Sequence, residues 1–198
     1  ITKDEVFAYI YGLLHSPVYR ETYAADLKKM LPRIPLVRDF KDYAEAGRAL
    51  VELHLGYESV EPYPLDGLAV EAVGDPFSFF AVGSKKMAFG KASAEQRAAG
   101  ERRDRTVIDY NDRITLRGIP DDAYRYILGS RSAIEWIIDR YYVKTDKASG
   151  IVNDPNDWSR EVGDPRYILD LLARVVTLSV ETNRIVDGLP PLDIIEEA

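Results

Sequence analysis

The sequence predicts an α+β fold, a helical shell of about six helices, the C-terminal one long, around a small and mostly antiparallel sheet. Three observations carry that expectation. Apolar residues recur at helical spacing at both ends of the chain, as in Val6, Phe7, Ile10, Leu13, Leu14 and again from Ile168 to Val186. Short apolar runs set between glycines and prolines fill the middle. One stretch, Lys144 to Ser159, shows no sustained period at all.

In chain order, Thr2 to Glu5 forms a capping box that starts the first helix. Ser16-Pro17 ends it and starts the second, because a proline at the first helical position loses no hydrogen bond. Tyr19, Tyr23, Leu27 and Leu31 continue that helix until the PRIP segment, Pro32 to Pro35, breaks it. A third helix is expected from about Asp39, with Tyr43, Ala46, Leu50 and Leu53 on one face and Gly56 as its stop. Glu61-Pro62-Tyr63-Pro64 reads as extended chain. Leu68 to Val73, Phe79 to Val82 and Met87 to Phe89 read as strands, with Asp75-Pro76 as a turn. Thr106 to Tyr110 and Ile114 to Leu116 make a hairpin about Asn111-Asp112.

Helices then return. Pro120 to Leu128 is expected as a short helix closed by Gly129, and Ser132 to Tyr142 as the next, with Ser132 and Glu135 forming a capping box. Asp164-Pro165 opens the longest helix, which runs to Gly188 before Pro190-Pro191. The expected organisation is a single domain, residues 1–198, helical over 1–56, strand-rich over 57–119, and helical over 120–198 with a long loop at 144–160. Ile151, Val152 and Trp158 supply apolar anchors for that loop. An ordered polar loop standing on a rigid helix has the form of a recognition surface.

Composition narrows the function classes. The chain of 198 residues is 46% hydrophobic and 30% charged, as in ordinary globular proteins, and long enough for a sizeable core. It has no cysteine, which removes thiolate nucleophiles, disulfides and zinc–thiolate sites and fits a cytoplasmic location. No run reaches the roughly 20 apolar residues of a membrane span, and no signal peptide is visible. The chain opens on Ile1 and is expected to be a piece of a longer polypeptide. The net charge of −7 opposes attraction to nucleic acid over the whole surface. Locally, however, Lys85, Lys86, Lys91, Arg97, Arg102, Arg103 and Arg105 outnumber Glu95, Glu101 and Asp104. The end of the chain is acidic, with Asp187, Asp193, Glu196 and Glu197.

No catalytic constellation is present: His15 and His54 lack companion motifs, and packing accounts for both. Asp109 and Asp112 flank a hairpin turn and could hold a divalent ion, but turn chemistry explains Asn111 and Asp112 without a metal. Asp154, Asn156 and Asp157 lack the central glycine and closing glutamate of a calcium loop. Binding chemistry is better represented. Lys85, Lys86 and Lys91 interleave with Met87 and Phe89, either as a basic hairpin edge along a phosphate backbone or as lysines guarding an edge strand. Arg113 and Arg117 are expected on one strand face opposite the core, which the wet side of a half-buried sheet also explains. Lys144, Lys147, Asn153 and Asn156 in the long loop are the side-chain types that read guanine and adenine edges. Trp136 is expected in the core, and Trp158 as an anchor of the loop.

Four blocks carry a family resemblance: FAYIYGLLHSPVYRETYAADLKKMLPRIP from Phe7 to Pro35, ILGSRSAIEWIIDRY from Ile127 to Tyr141, VKTDKASGIVNDPNDW from Val143 to Trp158, and GDPRYILDLLARVVTLSVETNRIVDGLPP from Gly163 to Pro191. Together they resemble the C-terminal specificity, or target recognition, domain of type ISP restriction–modification enzymes, and more loosely the recognition domains of fused adenine-N6 DNA methyltransferases. The resemblance implies a module that reads a short site on double-stranded DNA for methylation and cleavage by other domains. No Asn-Pro-Pro-Tyr or Asp-Pro-Pro-Tyr occurs. S-adenosylmethionine, ATP and magnesium are accordingly expected only in the methyltransferase and helicase-like domains of the same polypeptide, and no catalysis or metal binding in this chain. The alternative is a docking module, with the N-terminal helices against the methyltransferase and the long helix bracing the motor, without direct base reading.

Overall fold

The structure is a computed structural model that describes residues 1–195, so Glu196 and Glu197 of the acidic end lie outside the described residues. The fold is α+β, as expected, with small antiparallel sheets. Its elements run α1 (Lys3–His15), α2 (Pro17–Thr22), α3 (Ala24–Lys28), α4 (Phe40–Leu55), α5 (Pro76–Phe80), β1 (Ala88–Lys91), α6 (Ala94–Ala98), β2 (Arg103–Asp109), β3 (Thr115–Arg117), β4 (Ile127–Leu128), β5 (Arg131–Ser132), α7 (Ala133–Arg140), β6 (Lys144–Thr145), β7 (Val152–Asn153), α8 (Asn156–Glu161) and α9 (Tyr167–Asp187). The chain packs as two compact units, one of Ile1–Ser59 with the chain from Glu181 on, the other Val60–Val180.

In the first unit α1 lies directly against α4. A Cβ added to Gly47 would sit 1.8 Å from the Ala8 carbonyl oxygen, and one added to Gly12 would sit 2.3 Å from that of Tyr43, so the two backbones meet where only glycine fits. The capping boxes and Pro17 act as expected: Thr2 and Glu5 start α1, and Ser16 accepts from the Tyr19 N–H to start α2. Buried tyrosines hold the proline-containing segments by donating to their backbone carbonyls. The Tyr9 hydroxyl donates to Pro35, Tyr19 to Arg33 at 2.7 Å and Tyr43 to Pro190 at 3.0 Å. The second expected helix is split at Tyr23, and α1 buries Ala8, Tyr9, Gly12 and Leu13 while Val6 and Phe7 stay exposed.

In the second unit β1, β2 and β3 form an antiparallel sheet in that order, with a bulge between Phe89 and Gly90. Its inner face, including Ile108 and Leu116, packs with Ile134 of α7 and with Ile168, Leu169, Leu172 and Val176 of α9. Three expected strands or helices come out differently. Phe79–Val82 is not a strand: Asp75 accepts from the Ser78 N–H, so Asp75-Pro76 starts α5 instead of making a simple turn. Leu68–Val73 pairs with no strand, because the Leu68 and Val70 carbonyls accept from the Arg166 guanidinium at 2.8 and 3.2 Å. Pro120–Leu128 holds one 3-10 turn, Asp121–Tyr124, before β4 and β5 pair across Gly129, whose φ of +69° suits glycine. The long loop is also ordered differently, as the β6–β7 hairpin followed by α8.

Candidate nucleic-acid interface

The site grows from α7. Ser132 caps its start, and Glu135 returns the bond to the Ser132 N–H. Trp136, Asp139 and Arg140 then fall three and four residues apart, hence on one helical face. Arg131, in the strand just before, lies 5.4 Å from the Trp136 ring centre and Arg140 lies 5.1 Å from it, close enough for cation–π attraction to both. The indole N–H donates to the Leu128 carbonyl at 2.8 Å. Trp136 is thus a half-buried surface platform and not the core residue its spacing predicted.

Past α7 the Val143 N–H donates to the Gly83 carbonyl at 2.8 Å, which sets β6 beside the turn carrying Lys85 and Lys86. Lys86 reaches Asp139 at 2.6 Å and lies 4.7 Å from the Tyr142 ring centre. Across the β6–β7 ladder Lys144 pairs with Asn153 and Thr145 with Val152, all four exposed. Asp146 closes the hairpin by accepting from Ala148 and Ser149, and those bonds, the Ser149 N–H foremost, hold its carboxyl below the usual range. Lys86, Asp139, Arg140, Tyr142, Lys144 and Asn153 line one cleft of about 250 Å³. Next to it, Arg140 and Asn153 also border a recess of about 340 Å³ with Tyr141, Pro155, Trp158 and Tyr167. Trp158 meets Tyr167 edge to face, and is 47% exposed, so it anchors the segment by one side only.

Of the candidates named from sequence, Lys86, Lys144 and Asn153 therefore meet, with Lys147 exposed in the adjoining turn. Asn156 does not join them. It is buried, its Oδ1 accepts from the Val82 N–H and its Nδ2 donates to the Val82 carbonyl, both at 2.9 Å. That amide copies a strand partner for Val82 and has no face left for a base. Lys85 is exposed and pairs loosely with Asp112 at 3.4 Å. Lys91 stands at the end of edge strand β1, opposite Arg103. Arg113 and Arg117 do not share a strand face: Arg113 sits in the turn, donating to the Ser78 carbonyl, while Arg117 ends β3 in a bridge with Asp66.

Arg131, Asp139, Arg140 and Tyr142 were not foreseen; the spacing of Trp136, Asp139 and Arg140 on one helix held the available signal. A second cleft, about 640 Å³, is lined by Arg102, Arg103 and Arg105 together with Glu101, Asp121 and Glu135, so its charges are mixed. There the Arg105 guanidinium lies 4.0 Å from the Tyr124 ring centre and 3.6 Å from Glu135. Among the described residues no group of three histidine or acidic side chains is placed to hold a metal ion, and no helix is long and apolar enough to cross a membrane.

No curated protein matches the chain. Several solved structures do, among them three that each cover 98% of this chain. The type ISP restriction–modification enzyme LlaGI, as a nuclease-deletion mutant in complex with a DNA substrate mimic, is 43% identical with a TM-score of 0.79. The ATP-dependent type ISP restriction–modification enzyme LlaBIII bound to DNA is 38% identical with a TM-score of 0.82. A DrdV–DNA complex is 36% identical with a TM-score of 0.75. The chain spans only 14%, 12% and 18% of those chains, respectively. Residues 1–171 match the family model of the type ISP C-terminal specificity domain, and the chain belongs to that family.

Proposed function

We propose that this chain is the sequence-reading module of a longer restriction–modification polypeptide, and that the β6–β7 ribbon with its basic rim meets double-stranded DNA. One observation carries the reading: Lys144 and Asn153 sit opposite one another on an exposed two-stranded ribbon, beside a cleft that also holds Lys86 and Arg140. A two-stranded ribbon fits the major groove, where lysine pairs with guanine and asparagine with adenine. Lys85, exposed beside it, supplies sequence-independent phosphate contact. The DNA-bound relatives named above support the same reading.

Adenine-N6 methylation and cleavage then belong to other domains of a cytoplasmic polypeptide, with S-adenosylmethionine, ATP and magnesium bound there. This chain supplies recognition and no catalytic group. A second reading, docking against those domains, draws on the first unit, where Met30, Leu31 and Leu36 are exposed. Docking and base reading involve separate units of the chain.

The test is selection from a random duplex pool by the full-length polypeptide, followed by sequencing of the retained DNA. Lys144→Ala and Asn153→Ala are expected to relax the retained motif at one or two base pairs. An unchanged motif in both variants would sink the ribbon as the reading element and leave the docking role.

A further inference from the structure

The cations beside the ribbon do not act singly. One carboxylate gathers them: Asp139 meets Lys86 at 2.6 Å, Arg131 at 2.9 Å and Arg140 at 3.8 Å. The hydrogen bond from Lys86, then its charge and that of Arg131, holds the Asp139 carboxyl below the usual carboxylate range against the opposing effect of burial. Aromatic faces meet the same cations, Tyr142 against Lys86 and Trp136 against Arg131 and Arg140. A lysine that donates to a carboxylate and rests on a ring is directed and partly neutralised. It gains less from an arbitrary phosphate than a free lysine does, because it must first give up those contacts. The whole chain carries a net charge of −7, so its surface as a whole does not attract DNA without regard to sequence.

We propose that Asp139 is a specificity-determining residue: by holding Lys86 and Arg131 it withholds them from indiscriminate phosphate contact, so that stable binding requires a duplex that also satisfies Lys144 and Asn153. The proposal rests on the reading of the ribbon as the DNA-contacting element. Asp139 itself touches no base in this scheme; it acts through the two cations. Non-specific duplexes meet a face with one unit of positive charge cancelled. A cognate duplex binds through the ribbon contacts with the Asp139 pairing kept, so it gains little when that pairing is removed.

The experiment compares Asp139→Asn with the parent in the full-length polypeptide, titrating a random duplex and the motif retained from the pool across a salt series. Random-duplex affinity is expected to rise several-fold, up to about tenfold, with a salt slope steeper by about one. The ratio of motif to random affinity should fall by a similar factor, and Asp139→Glu should restore it. Unchanged random-duplex affinity, or an equal loss for both duplexes, overturns the proposal and leaves Asp139 a structural ion pair. A second variant does not depend on how Asp139→Asn folds: Lys86→Gln should flatten the random-duplex salt slope by well under one, and a full unit of flattening also overturns it. The ribbon reading is judged separately by Lys144→Ala and Asn153→Ala. If those relax the motif while Asp139→Asn leaves random binding alone, only the role of Asp139 falls.

Discussion

Lys144 and Asn153 face each other directly across the β6–β7 ladder. Opposed residues of an antiparallel pair carry their Cβ atoms roughly 4.5–5.5 Å apart on one side of the ribbon. A lysine and an asparagine so placed present donors, and one acceptor, to neighbouring base edges as a unit, and neither is tied down by burial.

Base-reading and phosphate-contacting residues should separate on substitution. Asn153→Ala and Lys147→Ala should lower discrimination at particular base pairs by about 1–3 kcal/mol, while stability moves by no more than about 0.5 kcal/mol. Lys85→Ala, by contrast, should weaken binding to every duplex and flatten the salt slope by about one. Its pairing with Asp112 is highly exposed and holds it only weakly. Competition titrations against single-base-pair variants of the retained motif read both effects, and equal losses across all variants for Asn153→Ala would remove it from base reading.

Asn156 is expected to matter to stability and not to readout. Asn156→Ala leaves the Val82 N–H and carbonyl without the partners they have now, both in a buried setting. The cost should be roughly 2–4 kcal/mol, measured as a shift of the urea midpoint. A shift below about 0.5 kcal/mol would show that water replaces the amide.

Gly47→Ala should destabilise the first unit by about 3 kcal/mol or more, because the added methyl meets backbone and not a side chain that can turn away. Thermal unfolding followed by circular dichroism tests this, with Ala46→Gly on the same helix as the control for helix propensity. That control should cost only about 1 kcal/mol.

Acid should loosen the same unit. His54 is bonded to Tyr11 at Nδ1 and to Thr182 at Nε2, 2.8 and 2.9 Å away. Burial, and then the nearby His15, lowers its pKa from 6.5 to about 4. The unfolded chain therefore binds a proton that the folded chain refuses, and stability should fall as pH drops from about 6.5 to about 4 and level off below. Urea midpoints at pH 7, 5.5 and 4.5 give the slope, which His54→Gln should reduce. An NMR titration with His54 protonating above pH 6 would refute the assignment. The depressed carboxylates, Asp139 and Asp154 among them, lose their stabilising charge only at still lower pH.

The local signals proved legible where a few adjacent residues settle the outcome. The Thr2–Glu5 and Ser132–Glu135 capping boxes, Pro17 at the start of α2 and the long apolar stripe of α9 depend on contacts within a turn or two of the chain. Periodicity was less able to say which apolar residues are covered. Phe7 lies 59% exposed on a helix whose buried side is chosen by its neighbour α4 through Gly12 and Gly47. Leu68–Val73 has strand-like composition, yet its carbonyls go to Arg166, 98 residues further along from Leu68.

The site divides in the same way. Residue type alone marked Lys86, Lys144, Lys147 and Asn153, since few side chains carry donors suited to bases and phosphates. Whether each can use them is a matter of partners distant in sequence, which no local pattern encodes. Val82 turns Asn156 into a backbone mimic from 74 positions away, and Asp139 captures Lys86 across 53. The sequence by itself determined the class of fold, the starts of α1, α2, α4 and α7 and the side-chain types available for binding DNA. The tertiary structure alone decided which of those groups stay free to bind, because a hydrogen bond already satisfied inside the fold is lost to any ligand.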